Sequence, residues 1–220
     1  MRRLIYMICS ICLFANCSKD SSSPTPSPVN PSGNTQGITN TDSSGNNNSV
    51  DTSAVVADSF VTYLIKQGNN YCEKNGYPVT QYTSIHFRAI LDSSCIYTTV
   101  NSDNQQDINK LYGFADCSSF HQNNSARFGW DWYRGQMHIH AYCYSNTVRS
   151  YKELGTVPLN KAFDCSITVL PGKYIFTLNG KADTMERGCT DKIAAGYKLY
   201  PYFGGDETAP HDIRVKIREL

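Results

Sequence analysis

The chain has 220 residues, with 20 Lys and Arg against 19 Asp and Glu, and a formal charge of +1. No stretch gathers its basic side chains into a block. Nucleic acid is therefore excluded as the main partner, because neutralising phosphates takes clustered Lys and Arg. Tyrosine is abundant, at 15 residues, and helical periodicity is scarce.

The chain opens Met1-Arg2-Arg3, runs apolar from Leu4 to Phe14 and reaches Ala15-Asn16-Cys17. A basic start, a short apolar stretch and a small-residue cleavage zone make a secretory signal over residues 1–16. The apolar run is about eleven residues, where spanning a bilayer takes roughly twenty. A Cys at the cleavage point resembles a bacterial lipoprotein signal, which implies a lipidated Cys17 and a membrane anchor. Phe14 and Asn16 stand where that signal usually has Leu and Gly or Ala. Ser18-Lys19-Asp20 resembles the start of mature surface lipoproteins of the Bacteroidota, which implies an outer-membrane lipoprotein facing outward from the cell. Residues 17–54 are almost entirely Ser, Thr, Asn, Gly, Pro and Asp. That composition cannot bury enough apolar surface to offset the entropy of ordering, so a disordered tether is expected. Its Pro-containing part is stiffer and its Gly/Ser/Asn part a flexible coil.

Residues 55–220 have the length of one domain. Period-two alternation predicts strands along it. In 84–91, Ile85, Phe87, Ala89 and Leu91 face one way. In 125–133, Ala126, Phe128, Trp130 and Trp132 share a face. In 136–144, Met137, Ile139, Ala141 and Cys143 do the same. Further strands are expected at 58–66, 95–99, 109–114, 148–157, 161–169, 173–179, 196–203 and 211–219. Arg134-Gly135, Ser145-Asn146, Pro171-Gly172, Asn179-Gly180 and Gly204-Gly205 supply turns. Many short strands at regular spacing mean an all-β antiparallel sandwich or barrel. Lys161–Lys181, ending in an Asn-Gly turn, resembles paired strands of concanavalin-like and laminin-G-like jelly rolls. The closing "HDIRVKIREL" is similar to their last strand. The resemblance implies a jelly-roll β-sandwich. Two longer stretches, "NKLYGFADCSSFHQNNSARFGW" and "GYKLYPYFGGDETAPHDI", resemble secreted lipoproteins of the Bacteroidota, a likeness that implies an address and a fold but no activity.

If the dry faces are as read, the hairpin 125–144 has a second, decorated face. It carries Arg127, Asp131, Tyr133, Gln136, His138, His140, Tyr142 and Tyr144, with Arg88 and His86 able to join from 84–91. Such a face suits sugars: aromatic rings cover the apolar faces of pyranoses, polar tips bond hydroxyls, and Arg forks onto a carboxylate. The alternative for the same residues is a solvated sheet face, since Tyr favours strands in any case.

Arg88, then Gln136-Met137-His138, then Tyr202-Phe203-Gly204-Gly205 also follow the order of motifs in jelly-roll alginate lyases. The resemblance implies that Arg88 and Gln136 neutralise a uronate carboxylate while His138 and Tyr202 move protons in a β-elimination. Ala89 stands where that family has an acidic residue and Gly204 where it has Lys, and no Tyr follows at the expected offset. Those departures weigh against catalysis. No nucleophile elbow, P-loop or dinucleotide fingerprint is present.

His138 and His140, two apart on one strand, form a possible metal pair but lack a defined third ligand. No metal is assigned. The Asp206-Glu207 loop is a candidate for calcium, against the plainer reading of a solvated acidic turn. Beyond Cys17 lie Cys72, Cys95, Cys117, Cys143, Cys165 and Cys189. An exported chain permits disulfides among them, while Cys143 and Cys165 alternate with apolar positions and fit buried thiols. The leading expectation is a monomeric surface lipoprotein that binds a polysaccharide or cell-surface glycan without cleaving it and needs no cofactor. The alternatives are a polysaccharide lyase and a protein-binding adhesin.

Overall fold

Strict alternation needs one dry face, and the computed structural model supplies it by stacking two antiparallel sheets. It describes residues 59–220; the signal, Cys17 and the tether lie outside the described residues. In chain order the strands are β1 (Val61–Ile65), β2 (Val79–Tyr82), β3 (Ser84–Leu91), β4 (Asn109–Ala115), β5 (Ser125–Tyr133) and β6 (Gln136–Ser145). They continue with β7 (Val148–Val157), β8 (Phe163–Leu170), β9 (Lys173–Leu178), β10 (Lys181–Glu186), β11 (Ala194–Leu199) and β12 (Ile213–Glu219). One sheet runs β1-β12-β3-β8-β9-β10 and the other β2-β11-β4-β5-β6-β7. The first and last strands are neighbours, and the chain crosses repeatedly between sheets. This is an antiparallel jelly-roll β-sandwich.

The inward faces are those the alternation predicted. Ile85, Phe87, Ala89 and Leu91 meet Ala126, Phe128, Trp130, Met137, Ile139 and Cys143 in one core. The sheets interlock through aromatic edges: Phe87 lies 5.6 Å from Phe128, and Phe128 lies 5.1 Å from Phe176, centroid to centroid. The hairpin turns use left-handed backbone, which matches the twist of the strands they join. Arg134-Gly135 has φ of 50° and 75°, and Asn179-Gly180 has 47° and 84°.

Three expectations change. The 95–99 segment is not a strand: Ser93–Cys95 forms a 3-10 turn capped by Asp92, and the chain after it is irregular. Two strands went unforeseen, β2 and β10. Both are sheet edges with mostly exposed side chains, so neither alternates clearly.

One end of the sandwich is closed by a buried charge pair. Asp116, just past β4, accepts from Arg187 Nε and from the Tyr174 hydroxyl, both at 2.6 Å, and from the Ala195 amide at 3.1 Å. Arg187 also donates to the carbonyls of Leu170, Asp191 and Ile193. Beside it Cys117 and Cys189 are disulfide-bonded, while Cys72, Cys95, Cys143 and Cys165 are buried free thiols. Asp116, Cys117 and Cys189 are the one group of described residues with metal-ligand spacing. Their donor atoms are already committed, to each other or to Arg187.

Candidate functional site

The outward face of the second sheet carries a cleft of about 320 Å³. Its floor follows from strand register. Arg127 on β5 stands opposite Tyr142 on β6, Tyr144 opposite Arg149 on β7, and Lys110 on β4 opposite Gly129. Gly113 lies opposite Arg127. A β-carbon there would collide with the Ala126 carbonyl oxygen and stand 2.9 Å from the Arg127 Cγ, so the close approach of β5 to β4 here requires glycine.

Three cations surround one phenol. Lys110 Nζ sits 5.0 Å from the Tyr142 ring centroid and the Arg127 guanidinium 5.4 Å from it. Arg149 faces the Tyr142 hydroxyl, which raises that guanidinium above its ordinary value. Burial, with Tyr144 alongside, pushes the Tyr142 phenol up to about 12. Burial, reinforced by Arg127, pushes the Lys110 ammonium down to about 8. Burial also lowers Arg127, which still keeps its proton because guanidinium is so basic. Arg127 is 7% exposed and its Nε has no hydrogen-bond partner. Among the described residues, no ion pair includes Arg127, Lys110 or Arg149. Asp206 is the one carboxylate lining the cleft.

Aromatic rings form the walls. Tyr71, 60% exposed, meets Tyr202 edge-on at 4.9 Å. Tyr77, 66% exposed, meets Tyr197 edge-on at 5.2 Å. Tyr202 is fixed by backbone bridges to Tyr71 and Lys110. His121, from the loop between β4 and β5, also lines the cleft. Its backbone N–H donates to the Tyr197 hydroxyl at 3.1 Å, and its Nδ1 lies 2.8 Å from that same oxygen. The Tyr197 hydroxyl thus holds both the backbone and the ring of His121. Burial first, and Arg127 second, lower the His121 pKa and favour the neutral imidazole.

The sequence-predicted residues divide. Arg127, Tyr142, Tyr144 and Tyr202 come together in the cleft. Arg88 does not: it lies on β3 of the other sheet, paired with Asp164 at 2.6 Å. Alternation tells inside from outside but not which sheet a strand joins. His86, on the same strand, is placed with it. Gln136 is exposed at the start of β6. His138 bonds Glu153 at 2.9 Å and packs near Tyr133, whose ring carries Arg134. His140 is held by Asp131 at 2.6 Å. The two histidines thus have separate carboxylate partners, and the one group of three ligand-type residues among the described residues does not include them. The lyase set is dispersed as well. Tyr202 pairs with Lys110, Lys110 with Gly129 and Gly129 with His140, so three interstrand steps of about 4.8 Å separate Tyr202 from even the nearer histidine strand position. In the acidic loop, the Glu207 carboxylate is taken by the amides of Val100 and Asn101 and by Asn104 Nδ2. It clamps that loop to the sandwich.

Lys110, Arg149, His121, Tyr71 and Tyr77 were not foreseen. Lys110 is hidden by a bulge at Lys110/Tyr112 that breaks the period of β4. His121, Tyr71 and Tyr77 lie on loops, where periodicity gives no signal.

No protein-family model matches the chain, and no curated protein sequence does. Among solved structures it is similar to the alginate lyase A1-II′ of polysaccharide lyase family 7, at 9% identity and TM-score 0.45, over 74% of this chain and 80% of that one. It is similar to a laminarinase catalytic domain from Thermotoga maritima, at 11% identity and TM-score 0.45, over 77% and 79%. It is also similar to the carbohydrate-binding module CBM66 from Bacillus subtilis, at 9% identity and TM-score 0.37, over 70% and 93%. At these values the likeness assigns neither ligand nor chemistry.

Proposed function

We propose that the chain is an outer-membrane lipoprotein, anchored through Cys17 and facing outward, whose β-sandwich binds a glycan in the Tyr142 cleft without cleaving it. The observation that carries the reading is the set of exposed rings over an open, polar groove. Tyr71 and Tyr77 present apolar faces bounded by hydrogen-bonding tips, the combination a pyranose needs. Binding demands no more than such a platform. Acid–base chemistry demands a free base at the reacting carbon, and the His121 Nδ1 is occupied by Tyr197.

Affinity electrophoresis of the full chain in gels containing neutral or acidic polysaccharides tests this reading. Retardation that is lost in Tyr71→Ala supports it; equal migration in every gel contradicts it. Anchoring is tested separately. Cys17→Ala should release the protein from membranes, and protease applied to intact cells should remove the wild-type domain. A domain cut only after lysis contradicts surface display.

A lyase is the second reading, favoured by one observation: a neutral His121 shares the cleft with Arg127 and Lys110. Time-dependent ultraviolet absorbance on a uronate polymer, abolished by His121→Ala, would put it first.

A further inference from the structure

Resting on the glycan reading above, we propose that the cleft floor is a subsite for an oxyanion carried on a sugar ring, so that the ligand is an acidic rather than a neutral polysaccharide. A buried guanidinium is expensive without a counter-charge or hydrogen bonds. Arg127 has neither: it is 7% exposed, and its Nε faces no acceptor. Lys110 spends one of its donors on the Gly204 carbonyl at 2.9 Å and leaves two free. Arg149 lies at the third side of the same ring. A neutral sugar offers these cations only hydroxyl oxygens. A carboxylate or sulfate ester offers charged acceptors, to which guanidinium and ammonium bonds are shorter and about twice as strong.

The fourth cation of the cleft makes the contrast. Lys198 also lines it but is neutralised by Glu219 at 2.6 Å. Arg127, Lys110 and Arg149 have no such ion pair; Asp206 lines the cleft and Asp107 acts on Lys110 only at longer range. A carboxylate and a sulfate ester share the required chemistry.

The test compares retardation of the full chain in gels containing laminarin (neutral), polygalacturonate (carboxylate) or chondroitin sulfate (carboxylate with sulfate), at low and high salt. At least one acidic polymer should retard it, and laminarin should do so at least tenfold more weakly. The acidic retardation should fall with salt. Arg127→Gln should weaken it on the order of tenfold, and so should Arg149→Gln, which lies nearer the cleft edge and checks the result against a folding defect. Polygalacturonate binding identifies the carboxylate, and binding of chondroitin sulfate alone identifies the sulfate. Laminarin binding that equals the acidic polymers and ignores salt overturns the acidic subsite while leaving the glycan reading intact. No retardation by any polymer overturns both.

Discussion

Two buried arginines on the same sandwich are treated in opposite ways. Arg187 is surrounded: Asp116 faces it, three carbonyls accept from it, and a disulfide closes the loop beside it. Arg127 is equally hidden and faces no carboxylate. The first is the arrangement of a structural clasp, since a buried charge is tolerated when its partner and hydrogen bonds are complete. The second leaves a cost that the fold does not recover, and it lies on the floor of an open cleft among tyrosines. Completeness of partners separates scaffold from site where burial alone does not.

The largest expected effect is at the clasp. Arg187→Met or Asp116→Asn strands a buried partner and should destabilise the domain by about 3–5 kcal/mol in urea unfolding. A loss under about 1 kcal/mol would show that the pair is not structural. Replacing Cys117 and Cys189 together by Ser should cost about 2–4 kcal/mol, because the bond closes a long loop. The opposite sign is expected at the cleft. Arg127→Met removes an uncompensated buried charge, so stability should hold or rise while retention by acidic polymers falls. Marked destabilisation would place Arg127 with Arg187 and dissolve the contrast.

A smaller, pH-dependent effect follows from Lys110. In the folded chain its ammonium discharges as pH rises through about 8, whereas in the unfolded chain it stays charged up to its ordinary 10.5. Burial and Arg127 lower it, and Asp107 partly opposes them. Between those values the unfolded state holds more protons, so this group makes stability rise with pH. Anion binding needs the ammonium and should weaken over the same interval. Parallel melting and retardation series check the two slopes; slopes of the same sign would contradict the assignment. The smallest effect belongs to Arg88→Ala, which should leave both stability and retention near wild type, because its pair with Asp164 is exposed on the far sheet.

The sandwich was legible because burial of one face forces alternation. Phe128 and Trp130 on β5, with Met137 and Ile139 on β6, turn inward as their spacing required. That register put Arg127, Tyr142 and Tyr144 outward, and they meet in the cleft. Arg88 obeys the same parity on the wrong sheet, since strand order depends on long-range pairing that no local pattern encodes. Lys110 was concealed by the bulge in β4, and His121 by its loop. A signal was nonetheless present: in "SARFGWDWY" Arg127 is the single cation, and the residue opposite it on β6 is Tyr142 and not an acid.

Chemical-shift mapping of the full chain during titration with an acidic oligosaccharide tests the central claim most directly. Saturable shifts should appear at Arg127, Tyr142, Tyr144 and Tyr202, with the Arg88 strand unmoved. Shifts confined to the outer face of the β3 sheet, or to the His138–Glu153 end of β6, would contradict it.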